Sequence, residues 1–434
     1  MLDATAPPFE PVDLEPALRP FGQSRMLPRD AYVSPRVFAF EQERFFAGSW
    51  TCVGREGDLD GTGAQRAAKV GGAGVLLARG ADGRVRAFAN TCRHRGHELL
   101  GAGEQTTRRT VLCPYHAWTY DLDGSLRVAP GFRTSQRRSA TPGAHAEGEP
   151  EAQGEQMRRR SPTDAVGDFQ PAEHGLVELP LESWHGFLFV NGSGDAPPFA
   201  EHVGALDDLI APYRPERLVP LASHAYELVA NWKVVLENYH ECYHCPLIHP
   251  ELCQVSPPAS GDNFELDGAW VGGTMDLKDH AATMSLDGHS DGVPIPGLDG
   301  ERLRTVAYLG LFPNLLLSLH PDYVMTHLVE PLAADRSQIV CTWYFPPEAA
   351  ERPGFDPTYA VEFWDRTNRQ DWAACESVQR GMASPHFQPG PFAPAEDAVY
   401  HVVTMIARAY LGERPSAVPA PAGTALTQEP SAVR

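Results

Sequence analysis

Two cysteine–histidine pairs constrain this chain more than any other feature: Cys92-x-His94 and Cys113-x-x-His116, with eighteen residues between them. Two thiolates and two imidazoles on short loops match a [2Fe–2S] cluster held by cysteines on one iron and histidines on the other. Imidazole in place of thiolate removes negative charge from that iron and raises the reduction potential. A centre of that kind takes electrons from a donor and passes them on. A structural zinc site uses the same ligand types. The C-x-H spacing is poor for a zinc finger, however, and Gly96 and Pro114 suit two loops facing each other over a cluster.

A chain of 434 residues is long enough for two packed domains, each with its own core. The net charge of −20, with no run of Lys and Arg, argues against a nucleic-acid partner. No apolar stretch reaches membrane-spanning length, and the acidic, Pro-rich start MLDATAPPFEPVDLEP is unlike a signal peptide. Eight scattered cysteines are too few for a disulfide scaffold, and cluster thiolates need reducing surroundings, so the expected compartment is the cytoplasm.

Residues 1–37 read as a partly extended arm. From 38 to 195 the pattern is short strands with turn signals: Gly74-Val-Leu-Leu-Ala and Val85-Arg-Ala-Phe-Ala flank Asp82-Gly83, and Asp123-Gly124 closes a second hairpin. His185-Gly-Phe-Leu-Phe-Val reads as a further strand. This is a small β-domain with both ligand pairs on its loops. Residues 133–168 interrupt it with six Arg, six acidic residues and no aromatic ring, which predicts a mobile insertion unable to bury a core. From 196 to 414 helical patterns alternate with long strands at Leu315–His320, Tyr323–Glu330 and Gln338–Phe345, an α+β domain with an antiparallel sheet. The tail from 415 to 434 is of low complexity.

The segment NWKVVLENYHECYHCPLIHPELC starts as a helix that Pro246 is expected to end soon after Cys245. It packs His240, Glu241, His244 and His249 into ten residues. His240-Glu-Cys-Tyr-His244 spells H-E-x-x-H, the zinc metalloprotease pattern. Alternatively His244, from the helix, and His249, from just beyond it, supply two-thirds of a facial 2-His-1-carboxylate triad, which leaves positions open for O2 and substrate. An upstream electron-entry site favours the second reading, because hydrolytic zinc has no use for electrons. The missing carboxylate is sought by helical phase. Asp356-Pro357 and Gly381 bound one helix, on which Ala360, Trp364, Thr367, Asp371, Cys375 and Val378 share a stripe. Asp371 is a carboxylate on that inward stripe, and Asp365 is the second choice. Cys242-x-x-Cys245 reads as a pair of packing residues.

The chain resembles the α subunit of a Rieske non-haem iron oxygenase over roughly residues 25–412. It is most similar to the quaternary-ammonium branch of glycine-betaine, choline and carnitine monooxygenases and stachydrine demethylases. The stretches that carry the likeness are ENYHECYHCPLIHP, GGTMDLKDHAATMSLDG, SLHPDYVMTHLVEPL and NRQDWAACESVQRG. The resemblance implies cluster ligands at Cys92, His94, Cys113 and His116, and mononuclear Fe(II) ligands at His244, His249 and Asp371. It also implies an all-β Rieske domain followed by a helix-grip-like catalytic domain. Glu241 stands where ring-hydroxylating members usually carry Asp; in the family that acid bridges the cluster of one subunit to the iron of its neighbour in a homotrimer. Asn238 flanks the iron motif and joins Glu241 as a catalytic candidate.

The implied reaction is hydroxylation of a C–H bond with O2 and electrons from a separate NAD(P)H-dependent reductase, since this chain has no G-x-G-x-x-G fingerprint. On an N-methyl ammonium substrate such as glycine betaine it amounts to oxidative N-demethylation. A small cationic substrate calls for aromatic faces, for which Phe264, Trp270, Tyr308, Tyr323 and Trp343 are candidates. The alternatives are an aromatic or natural-product substrate on the same scaffold, and an electron-transfer Rieske protein with a degenerate second domain.

Overall fold

The computed structural model describes residues 6–132 and 169–417, in two compact units. The expected insertion at 133–168 and residues 418–434 of the tail lie outside the described residues. No described helix is long and apolar enough to cross a membrane.

The smaller unit comprises residues 57–69 and the described part of 73–179. A five-stranded sheet runs in the order Gln105–Thr107, Ala64–Val70, Ala73–Arg79, Val85–Ala89, Glu178–Leu179, with the Asp82-Gly83 turn joining its third and fourth strands. A second sheet is formed by Val111–Leu112, Thr119–Tyr120 and Leu126–Val128, the last two joined at Asp123-Gly124. Leu76, Phe88, Val111, Trp118 and Tyr120 make its core, which also buries Cys92 and Cys113.

The larger unit is built on a seven-stranded antiparallel sheet. Its order is Val219–Leu228, Arg336–Phe345, Val324–Ala333, Leu315–Leu319, Thr305–Leu311, Trp270–Asp276, Asp262–Asn263. Six strands form a meander, and the first in sequence pairs with the last, Ser223 opposite Thr342 and Glu227 opposite Gln338. Alternation along the strands sends Trp343, Met325 and Cys341 to one face and Tyr344, Val324 and Leu317 to the other. The helices Trp232–Tyr239, Thr358–Met382 and Asp397–Tyr410 cover the first face, so the α+β class read from the sequence holds.

Several local expectations change. The described part of the arm, residues 6–37, expected to be partly extended, carries helices Pro11–Leu18, Asp30–Val33 and the start of Pro35–Glu41, which bury Leu14, Tyr32, Val37 and Phe40 in the large core. Residues 38–56 and 180–195, read from the sequence as part of the small β-domain, pack with the larger unit, where Phe45, Trp50, Phe187 and Phe189 are buried. Pro246 opens a helix and does not end one. Its ring would clash with the carbonyl of Cys242 in a continuous helix, so the chain leaves the helix at Tyr239 and restarts at Cys245–Ile248 and Pro250–Val255. Both Cys242 and His244 therefore sit outside regular helix. The long helix runs Thr358–Met382, its first turn tied by Thr358 N–H donating to Asp356 Oδ1 at 2.9 Å. Its buried stripe passes from Cys375 to Gln379 and Met382, and Val378, expected inside, is 44% exposed.

Candidate active site

In the smaller unit two tight turns present the four cysteine and histidine side chains. Gly96 N–H donates to Cys92 C=O at 2.9 Å, and Ala117 N–H to Cys113 C=O at 3.1 Å. Gly96 has φ 72° and Ala117 φ 55°, a left-handed conformation that a non-glycine residue adopts only when its surroundings impose it. Tyr120 braces the first turn, receiving Arg93 N–H at 3.0 Å while its hydroxyl lies 3.2 Å from Cys92 Sγ. The Cys113 sulfur accepts backbone hydrogen bonds from Tyr115 and His116 and contacts the Cys92 thiol. The His94 and His116 rings lie 4.7 Å apart, and His94 stacks on Trp118 at 5.0 Å. Both cysteines are buried and both histidines half-buried, with His94 Nδ1 buried and unpartnered. Burial, then the neighbouring His116 and Arg95, lowers the His94 pKa, which keeps the imidazole in its ligand form. The structure thus brings together all four residues singled out from the sequence, with two sulfurs inside and two rings towards solvent. That donor set fits a [2Fe–2S] cluster, which the two thiolates and two imidazoles would hold.

In the larger unit the break after Tyr239 turns His244 and His249 towards the long helix. Asn231 caps the preceding helix, accepting Lys233 N–H at 2.9 Å, and its amide donates to Ala334 C=O at 2.6 Å. His244 Nε2 and His249 Nε2 are 3.1 Å apart, and Asp371 Oδ1 lies 3.3 Å from the first and 2.9 Å from the second. The opposite ring atoms fix the tautomers: His244 Nδ1–H donates to Glu241 Oε1, and His249 Nδ1–H to Gln370 Oε1 at 2.7 Å. Both Nε2 atoms then present lone pairs to one another and to a carboxylate, an arrangement that requires a positive charge among them. Cis ligand atoms about 2.1 Å from an octahedral metal lie about 3.0 Å from each other, so the observed triangle matches one face of such a site. A proton on His244 Nε2 is one bearer of that positive charge and a metal ion the other: burial opposes the imidazolium, yet hydrogen bonds to Asp371 and Glu241 carry its pKa up to about 10. The Asp371 pKa is lowered in spite of burial, by the two histidines.

Cys245 Sγ also lies within 4.8 Å of the ligand atoms of both histidines. Its thiol is hydrogen-bonded to Cys242, and that contact and burial push its pKa up, whereas Asp371 Oδ1 stands at cis-ligand distance from both nitrogens and is the better third donor. The H-E-x-x-H pattern does not form a site. His240 turns away, its Nδ1–H donating to Leu236 C=O at 2.7 Å and its Nε2 lying 3.3 Å from Val271 C=O. Gly310 makes room for this ring, since a Cβ there would collide with it. Asp365 is tied to the sheet by Tyr226, which donates to it at 2.5 Å, and along its own helix by Arg369 at 2.8 Å.

A cavity of about 530 Å³ opens onto the triangle. Asn238 and Glu241 line it together with Tyr239, Tyr308, His327, Trp364 and Trp372. Tyr308 is 6.1 Å from Tyr239 and 6.1 Å from Trp364, ring centre to ring centre. Of the five aromatics expected to line a pocket, only Tyr308 does. Phe264 and Trp270 pack together beyond the sheet, and Tyr323 and Trp343 are buried in the core. Gln370 went unrecognised in the sequence, although it adjoins Asp371; its amide also donates to Glu251 at 3.3 Å.

Residues 49–139 match the Rieske [2Fe-2S] domain model, and residues 215–412 the model of the ring hydroxylating alpha subunit (catalytic domain). The chain belongs to the Rieske non-haem iron oxygenases. Its relatives include the glycine betaine monooxygenase oxygenase subunit of Pseudomonas aeruginosa, 28% identical over 89% of each chain. The carnitine monooxygenase oxygenase subunit of Acinetobacter baumannii is 33% identical over 56% of this chain and 55% of its own. Among solved structures, a quaternary ammonium Rieske monooxygenase in complex with L-carnitine superposes with a TM-score of 0.69 at 23% identity, covering 93% of this chain and 99% of that one. Naphthalene 1,2-dioxygenase from Rhodococcus gives 0.69 at 17% identity, covering 92% and 97%; both likenesses are of fold. A Rieske oxygenase carries a [2Fe–2S] cluster and a mononuclear iron and works on small molecules with O2 and a reductase, which sets aside the reading as a bare electron carrier.

Proposed function

We propose that this Rieske oxygenase hydroxylates the N-methyl group of a small ammonium compound. The observation that carries the reading is the set of four aromatic side chains, Tyr239, Tyr308, Trp364 and Trp372, that line the cavity beside the His244–His249–Asp371 triangle. Each such face attracts an ammonium group by about 0.5–2 kcal/mol. The names of the relatives, which act on betaine, carnitine and choline, point the same way.

In this reading Cys92, His94, Cys113 and His116 hold the cluster, and His244, His249 and Asp371 hold the iron. When bound, the iron supplies open positions for the reduction of O2 next to the substrate. Glu241 and Gln370 take the Nδ1–H of the two histidines and so keep each Nε2 lone pair directed inward. Glu241 also serves as the carboxylate that links this site to the cluster of a neighbouring subunit in a homotrimer. Asn238 stands in the cavity wall beside it. The aromatic walls hold the ammonium group and exclude water around the methyl. One O2, two electrons and two protons convert the N-methyl ammonium ion into its N-hydroxymethyl counterpart and one water. This carbinolamine then loses formaldehyde and a proton to leave the tertiary amine. Eight unpaired cysteines suit a reducing compartment, and we place the protein in the cytoplasm.

The test is substrate-stimulated O2 uptake with formaldehyde release, measured on the iron-loaded protein with a reductase and a panel of choline, glycine betaine, carnitine and proline betaine. Formaldehyde in step with O2 supports the reading. Uptake with none of the four, alongside turnover of an aromatic hydrocarbon, would replace it.

A further inference from the structure

The polar atoms of the cavity have a hydrogen-bonding sense that narrows the substrate. His327 is 2% exposed, lines the cavity and has its Nε2 3.1 Å from Asn368 Oδ1. On the other side of that amide Asn368 Nδ2 donates to Cys341 Sγ at 3.6 Å, which leaves Oδ1 facing His327. The proton of His327 is therefore on Nε2, and Nδ1 is a lone-pair acceptor, buried and without a partner. Burial drives the imidazole pKa down to about 4, so it stays neutral. Tyr308 Oη is likewise buried without a partner. Strand register sets the two residues on one face of the sheet, Tyr308 opposite Ser318 and His327 opposite Leu316, with the Tyr239 ring 6.1 Å and 5.6 Å from theirs.

The unpartnered His327 acceptor and the unpartnered Tyr308 phenol each match a group that both donates and accepts, such as a hydroxyl. A carboxylate only accepts, so its oxygen would face the His327 lone pair with no proton between them. The charged side chains in the same wall reinforce the distinction. Glu241, Asp262, Asp371 and Asp397 line the cavity, and among the described residues no Lys or Arg does. Planar, bidentate capture of a carboxylate is characteristically the work of Arg.

We infer that the cavity selects an ammonium compound whose other end is a hydroxyl received by Tyr308 and His327, and that it discriminates against zwitterions ending in a carboxylate. This rests on the cationic reading above and narrows it. Choline and glycine betaine share the trimethylammonium group and differ at that end, so they are the direct probes.

The experiment is an anaerobic calorimetric titration of the iron-loaded protein with choline, glycine betaine, tetramethylammonium and the neutral isostere 3,3-dimethylbutan-1-ol. Choline is expected to bind about tenfold or more tightly than glycine betaine, and more tightly than the neutral alcohol. Tyr308→Phe keeps the ring and removes the hydroxyl. It should weaken choline about fivefold, the scale of one neutral hydrogen bond, and leave tetramethylammonium nearly unchanged. Asp262→Lys, an exposed change at the cavity wall, should narrow the gap between choline and glycine betaine. Glycine betaine binding as tightly as choline overturns the inference and leaves the cationic reading standing. So does an equal loss of choline and tetramethylammonium in Tyr308→Phe. The neutral alcohol binding as tightly as choline overturns the cationic reading, and the inference with it.

Discussion

At the scale of single residues, Asp371 and Asp365 lie six positions apart on one helix and have opposite surroundings. Asp371 faces two imidazole lone pairs, whereas Asp365 is held by Tyr226 and Arg369. Asp371→Ala should empty the mononuclear site while the visible absorption of the cluster persists, because the cluster ligands belong to the other unit. Asp365→Ala should retain iron and lose about 1 kcal/mol of stability, the usual scale for one hydrogen-bonded group. Metal analysis of both variants checks this, and iron lost from Asp365→Ala but kept in Asp371→Ala would reverse the assignment. Glu241→Gln should keep both metal centres and lose most turnover, since an amide accepts the His244 proton without carrying the charge. Wild-type turnover with a normally reducible cluster would remove Glu241 from the reaction. The cysteine–histidine pairs and the two iron-site histidines were legible in the sequence because short spacings survive any fold, and Asp371 because it shares a helix stripe with apolar residues. Gln370 was not, because its partner His249 is 121 positions away. The pocket aromatics were hardly legible either. Alternation shows that Tyr308 and Trp343 lie on strands, but which end of a face meets a cavity depends on the helices laid across it.

At the scale of elements, the helix Trp232–Tyr239 that leads into the iron motif is anchored by buried charge. Lys233 Nζ lies 2.6 Å from Glu41 Oε1, and the same carboxylate accepts from Trp232 at 2.8 Å and from Tyr410. Glu237, one turn on, accepts from Tyr32 at 2.7 Å, and burial raises its pKa from 4.5 to about 7 despite that bond. A carboxyl whose folded pKa is raised binds more protons folded than unfolded. Its contribution is therefore complete below about pH 4.5 and lost as pH rises to 7. Urea unfolding of wild type and Glu237→Gln should show their stability difference moving against wild type by up to about 3 kcal/mol across that window, then levelling off. A constant difference from pH 4.5 to 7 would place the titration elsewhere. Of these anchors Tyr32 comes from the segment read as a partly extended arm and Glu41 from just beyond it. A four-residue helix such as Asp30–Val33 leaves too little periodicity to read, and its stability comes from packing. Pro246 misled for a related reason: a proline marks where a helix is interrupted without saying which side of it is helical.

At the scale of the whole molecule, the two-centre reading fixes a stoichiometry. An iron-loaded protein should contain about three iron atoms per chain, two in the cluster and one mononuclear, with two acid-labile sulfides. Stoichiometric zinc and no labile sulfide would sink the cluster assignment. The division into a β-rich unit with the cysteine–histidine loops and an α+β unit with the cavity was legible from strand spacing and turn signals. The membership of residues 38–56 and 180–195 was not, because a strand's sequence does not name the sheet it joins.

The triangle of His244, His249 and Asp371 has a mechanical side as well. Asp371 meets His249 from 122 positions further along the chain, so an ion shared by them fastens two distant points of the polymer as a covalent staple would. Because that site does not exist in the unfolded chain, the binding free energy of the ion adds to the folding free energy of the larger unit. Chelating the mononuclear iron should therefore lower the melting temperature of the larger unit by several degrees and open the segment between residues 250 and 370 to proteolysis. In Asp371→Ala the staple is already cut, so chelator should have little further effect.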